Sequence, residues 1–118
     1  MGYDLSGSGG YFRWQIGDWP VLLRLAVEYG WKAPGTVLLT RSGRRSRTPW
    51  AGTYCSNDGQ TVLRTDARAL ADALERALAD SAARPRATRL AGRIEALAGR
   101  EYIAAFIKFC RAGQFGIT

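Results

Sequence analysis

Residues 66–80 constrain the fold of this chain more than any other stretch. Ala67, Leu70, Ala71, Leu74 and Leu78 recur at intervals of three and four, the spacing of one helix face. Thr65 or Asp66 can cap the start, where an acid suits the positive end of the helix dipole. Arg68 with Asp72, and Asp72 with Arg76, form i,i+4 pairs on the outer side, each contributing about 0.2–0.5 kcal/mol. A helix with one apolar stripe has to bury it against a second layer. The remaining segments must supply that layer.

A second helix is expected over residues 19–29. Asp18 can cap it, Pro20 suits its first turn and Gly30 stops it. Leu22, Leu25, Ala26 and Tyr29 share one face, which Leu23 and Val27 broaden, while Arg24 and Glu28 mark the wet side. After a break at residues 81–85, a third helix spans residues 86–98. A fourth starts at Arg100 or Glu101 and stops at Gly113. Gly99 either divides these two or is carried through at a cost of about 1 kcal/mol. Tyr102, Ile103, Phe106, Phe109 and Cys110 cover one side of the last helix, with Lys108 and Arg111 opposite.

Short strands are expected at residues 11–14 and 36–40. Residues 52–55 and 60–63 flank Ser56, Asn57, Asp58 and Gly59, a hairpin signal because Asp and Gly tolerate the positive φ of tight turns. Residues 114–118 read as an edge strand. Residues 1–10, rich in Gly and Ser, read as a flexible lead-in. The sum is an α+β fold with about four helices and a small antiparallel sheet or hairpin of two to four short strands. At 118 residues it fits one domain, residues 1–118.

Composition narrows the chemistry. Histidine is absent, which removes the usual general base near neutral pH and the commonest metal ligand. Two cysteines, Cys55 and Cys110, make a poor zinc site. In a reducing compartment both behave as small buried hydrophobes, and a bridge requires the fold to bring them together. No apolar run is long enough for a membrane span, and residues 1–20 lack a secretory pattern. Met1, Gly2 and Ser6 fit a myristoylation pattern that short sequences match by chance. Ser6 to Gly10 lacks the lysine and spacing of a phosphate loop, and no motif pairs the acids for catalysis. The expectation is a protein that is not an enzyme and uses no cofactor or metal.

Charge gives the one pointer to a partner. The net charge is +7, and eight of the 17 basic residues fall in two clusters free of acids. Arg41, Arg44, Arg45 and Arg47 crowd a turn-prone stretch with Gly43 and Pro49, read as an exposed loop over residues 41–49 and followed by Trp50. Arginines beside hydroxyls and an aromatic suit phosphate contact with base stacking, or the grip of an acidic protein patch. A mobile solubilising loop is the bland alternative. Arg84, Arg86, Arg89 and Arg93 make the second cluster. On a continuous helix Arg86, Arg89, Arg93 and Arg100 lie within roughly 60° of one another, beside Leu90, Ile94 and Leu97. That is either a basic ridge or an ordinary solvated face, and a break at Gly99 takes Arg100 out of it. Trp14, Trp19, Trp31 and Trp50 read mostly as core. The candidate binding residues are therefore Arg41, Arg44, Arg45, Arg47, Trp50, Arg86, Arg89 and Arg93.

Several short motifs resemble small uncharacterised bacterial and phage proteins. They are Phe12 to Trp14, Tyr29-Gly-Trp31 with Pro34-Gly-Thr36, Tyr54 with Ser56-Asn-Asp-Gly-Gln60, the Asp66 to Glu75 segment, and Phe106 to Gly113. The resemblance spans nearly the whole chain. It implies a cytoplasmic single-domain bacterial or phage protein, with the arginines at 41–47 as an addition to a shared scaffold. It carries no activity. The expected function is a non-enzymatic binding module, in the manner of an inhibitor in a defence or counter-defence system. The expected partner is a macromolecule with an acidic surface; the alternative is direct binding of DNA or RNA.

Overall fold

The computed structural model describes residues 2–32, 37–39, 45–49, 54, 61–84 and 88–118, with 37–39, 45–49 and Thr88 described by backbone alone. The element order is β1 (Gly2–Gly7), β2 (Gly10–Gln15), α1 (Asp18–Glu28), β3 (Val37–Leu39), β4 (Arg45–Pro49), β5 (Thr61–Val62), α2 (Arg64–Ala83), α3 (Thr88–Ala96), α4 (Gly99–Arg111) and β6 (Phe115–Ile117). The fold is α+β. Four strands form one antiparallel sheet in the order β2-β1-β6-β5, and β3 pairs with β4 separately.

The Gly- and Ser-rich start is not a flexible lead-in. β1 sits inside the sheet, with Tyr3 facing Trp14 and Leu5 facing Phe12 on one side, and Leu5 facing Ile117 on the other. Leu5 is fully buried and Tyr3 nearly so. The glycines are there because the chain passes close to other backbone. A Cβ on Gly7 would lie 2.1 Å from the Gln114 carbonyl oxygen and 2.7 Å from Phe115 Cα. Glycine is the residue that allows such an approach.

β6 is likewise not an edge strand. β1 takes one side of it and β5 the other, and the ladder runs on through reciprocal Asp4 and Thr118 backbone bonds of 3.0 and 2.8 Å. β5 therefore pairs with β6. Of its expected hairpin partner, residues 52–55, only Tyr54 is described, and it stands in a turn. β4 occupies the second half of the segment read as a loop. Its Pro49 faces Val37 at the end of a two-stranded ladder, and each strand there has a free edge that tolerates proline.

The inner face of the sheet carries Tyr3, Leu5, Trp14, Val62, Phe115 and Ile117, all buried. α4 closes it. Phe106 on α4 meets Phe12, Trp14, Trp19, Phe109 and Phe115, with ring centroids 5.2 to 6.2 Å apart. The α2 stripe of Leu70, Ala71, Leu74 and Ala77 packs beneath, fully or almost fully buried. α2 continues through Ala83, so its helix runs past the expected stop. Arg111 on α4 reaches Asp72 at 3.0 Å and also Glu75, which takes Asp72 away from its helical neighbours and ties α4 to α2.

α1 ends as its sequence predicts. Gly30 has φ of 95°, its N–H donates to the Val27 carbonyl at 3.0 Å, and the Trp31 N–H donates to Ala26 at 2.9 Å. These two bonds satisfy carbonyls the helix end would leave open. Val27 does not join the buried face. It is exposed, while Leu22, Leu23, Leu25 and Ala26 are buried. α3 and α4 are separate helices, because Ala98 and Gly99 both take left-handed conformations, with φ of 74° and 90°. Cys110 is a buried free thiol, and burial pushes its pKa well above the ordinary range; Cys55 lies outside the described residues.

Tyr54 locks one corner. Trp19 Nε1 donates to its carbonyl at 2.6 Å, its hydroxyl donates to Asp66 Oδ2 at 3.1 Å, and its ring stacks on Trp31 at 5.7 Å. Trp31 Nε1 in turn donates to the Asp66 carbonyl at 3.1 Å. Burial, and then the Asp66 charge, push the Tyr54 phenol far above its ordinary value of 10.0. The folded state thus holds this proton more tightly than the unfolded chain. Its contribution is complete below pH 10 and is lost as pH rises above it. Tyr54→Phe is expected to cost about 1–2 kcal/mol at neutral pH and to reduce the alkaline loss of stability. Urea titrations of both proteins across about pH 9–11 measure this, from one unit below the ordinary value to one above.

Candidate functional site

Arg84, Arg89 and Arg93 gather where α3 comes beside the C-terminal end of α1. A surface cleft of about 400 Å³ opens there, lined by Glu28 and Tyr29 from α1, Arg84 after α2, and Arg89, Leu90 and Arg93 from α3. Leu90 and Ile94 turn into the core and set the rotation of α3. Arg89 and Arg93, one turn apart, are thereby held toward α1.

Arg93 Nη1 donates to Glu28 Oε2 at 2.6 Å. That bond, aided by the charges of Arg89 and Arg24, holds the Glu28 carboxyl below its ordinary pKa of 4.5. Arg84 and Tyr29 both donate to Asp80, so Asp80 is held below its ordinary value and Tyr29 above its own. For the two carboxylates the stabilising effect is present above the ordinary carboxylate range and is lost as pH falls through the lowered values. The gain is small because these groups are exposed. Arg76 donates to the Tyr29 carbonyl at 2.7 and 3.1 Å and closes the end of α1.

The arginines therefore fall into two kinds. Arg84 and Arg93 are engaged with acids, Arg84 with Asp80 four residues earlier at the end of α2 and Arg93 with Glu28, which ties α3 to α1. Arg24 and Arg89 act on Glu28 only through their charge and keep their guanidinium donors open to solvent. Arg84, Arg89 and Arg93 line the cleft with one carboxylate, Glu28, and leave it with an excess of positive charge, available to an incoming acceptor.

Of the residues proposed from sequence, Arg89 and Arg93 are brought together here. Arg45 and Arg47 stand two positions apart on β4. Arg41, Arg44, Trp50 and Arg86 lie outside the described residues. Arg100 leaves the ridge, as the break before α4 requires, and donates to the Leu78 carbonyl at 3.1 Å. Sequence reasoning missed Glu28 as a member of the cleft, and Arg24 and Asp80 as charges acting on its lining. Arg24 and Glu28 are visible as an exposed helical pair, but nothing local says that α3 will lie against them.

Among the described residues no group of His, Cys, Asp or Glu is placed to hold a metal ion, and no helix is long and apolar enough to cross a membrane. The chain matches no known family model, no curated protein and no solved structure, so the resemblance to bacterial and phage proteins assigns no family.

Proposed function

We propose that this protein is a non-enzymatic binding module that engages an acidic macromolecule through its arginine surface, as a bacterial or phage accessory protein would. The observation that carries this reading is the α1–α3 cleft, where Arg89 meets no acid among the described residues and stands beside Arg84 and Arg93, already paired with acids, while Arg24 adds its charge at Glu28. The Arg41, Arg44, Arg45, Arg47 and Trp50 stretch, with Arg86, extends the same proposal. An acidic protein face suits the cleft better than a nucleic-acid backbone. Glu28 stands inside it, and a continuous line of phosphates would meet that carboxylate. A partner carboxylate, in contrast, can exchange with Glu28 on Arg93 at little cost.

The test is capture from a bacterial lysate, followed by direct titration of the recovered partner. Arg24→Ala with Arg89→Ala, and separately Arg44→Ala with Arg45→Ala and Arg47→Ala, are expected to weaken binding roughly tenfold per arginine that contacts an acid. Folding, followed by thermal melting, should be unchanged by the first pair. Duplex DNA and single-stranded RNA are titrated in parallel across salt. Nucleic-acid binding through about six arginines gives a log–log slope near −5 on duplex DNA. Such a slope would favour the nucleic-acid alternative, and a captured protein indifferent to both sets of substitutions would remove the arginine interface.

A further inference from the structure

Taking the partner to be an acidic protein, as proposed above, we infer that the α1–α3 cleft receives a helix of that partner bearing two carboxylates one turn apart, one on Arg89 and the other on Arg93 in place of Glu28. Arg89 and Arg93 both line the cleft, and both act on the Glu28 carboxyl. One acid thus stands before two guanidinium groups. Glu28 bonds to Arg93 at 2.6 Å and leaves Arg89 without an acid among the described residues.

The other polar groups of the lining are engaged. Arg84 donates to both Asp80 oxygens, the Tyr29 hydroxyl donates to Asp80 as well, and the Tyr29 carbonyl accepts from Arg76. An incoming acid is therefore directed to Arg89 and Arg93. Glu28 shows how the second acid binds. Its side chain is 47% exposed and that of Arg93 29%, so Glu28 can swing into water as a partner carboxylate takes its place. An exposed ion pair of this kind contributes little to stability, so the exchange costs little. Glu28 is a built-in competitor for the site.

The spacing of the two arginines sets the geometry of the partner. They stand on α3 about 6 Å apart along its axis. Acids at i and i+4 of a partner helix project from one face at the same interval. An extended segment also puts alternate side chains on one face, but it docks by pairing its backbone with a free sheet edge. The cleft offers no such edge, since its lining comes from α1, α3 and the residue after α2. A helix satisfies its own backbone and needs side-chain contacts only.

The probes are two alanine-rich peptides of about 16 residues, long enough to be helical in water, with the same composition and a pair of glutamates each. In one the glutamates are four positions apart; in the other they are two apart and so on different faces. The Nε–Hε signals of Arg89 and Arg93 are followed in isotope-labelled protein at low ionic strength. The first peptide is expected to move both signals saturably and to bind roughly tenfold tighter than the second. Arg89→Ala should bring the two peptides to equal affinity. Glu28→Gln, which removes the competitor, should tighten the first peptide about three- to fivefold, with both variants melting cooperatively. Equal affinity of the two peptides for the unaltered protein, or a Glu28→Gln variant that binds no tighter, overturns the inference. Poly-glutamate, disordered at neutral pH, separates it from the wider reading. If poly-glutamate moves both arginine signals and the two helical peptides do not differ, the acidic partner stands and the helix falls. If no acidic probe moves either signal, the helix and the acidic-partner reading of this cleft fall together.

Discussion

Phe106→Ala is expected to lower the stability of this domain by about 3–5 kcal/mol, the range for removing a buried aromatic. Phe106 is fully buried on α4 and meets rings from β2, α1, α4 and β6. Its loss leaves a cavity walled by rigid rings on several elements, none of which can move in without pulling its own strand or helix along. Domains of this class have only about 5–15 kcal/mol in total, so one substitution removes a large share. Urea titration at 25 °C measures it as a fall in midpoint with an unchanged slope. Phe106→Leu keeps most of the volume and should cost about 1–2 kcal/mol. Equal losses for the two variants would mean that the ring cluster is not the centre of the core.

Gly7→Ala is the second substitution with a large expected effect, about 3 kcal/mol and a fall in Tm of roughly 10 °C. The added methyl would stand 2.1 Å from the Gln114 carbonyl oxygen, a backbone atom that cannot turn aside as a side chain would. Either β1 separates from β6 or the strand bends, and both disturb the burial of Leu5 and Phe115. Gly17→Ala is the control. Nothing lies within 4 Å of the new methyl and φ is −79°, so its effect should stay within about 0.5 kcal/mol. A silent Gly7→Ala would return residues 2–10 to a loose lead-in and remove β1 from the sheet.

Two of the segments that were misjudged from sequence share a physical cause. In residues 2–10 a high Gly and Ser content lowers local β propensity, and local propensity is all that a short window contains. What makes Gly7 obligatory is the backbone at 114 and 115, brought beside it only by the fold. The assignment of β6 to an edge has the same origin, since its second neighbour is β1 at the other end of the chain. At 45–49, proline argued for a loop, whereas a two-stranded ladder has a free edge on each strand and admits it.

The amphipathic helices were legible because their period is written within each turn. The α2 stripe of Leu70, Ala71 and Leu74, the Gly30 stop and the aromatic face of α4 all depend on contacts three or four residues apart. The break at Gly99 was left open by the sequence, and the left-handed Ala98 before it decided the matter. Once the helix divides, Arg100 turns to Leu78 while Arg89 and Arg93 stay over α1.

The sequence by itself determined that this chain is an α+β domain with four helices and a strongly basic character, because helix period and formal charge are local or additive properties. Only the tertiary structure decided which charges are spent and which are free. Arg93 is held by Glu28 and Arg84 by Asp80, whereas Arg89 is not so held. The Arg84 pair is a local i,i+4 contact, whereas the pairing of Arg93 and not Arg89 depends on what lies beside α3, and packing of the apolar faces chooses that neighbour. The same holds for Trp14. A tryptophan in a strand was expected in the core, but that Phe12, Tyr102 and Phe106 are the rings around it was decided by the fold.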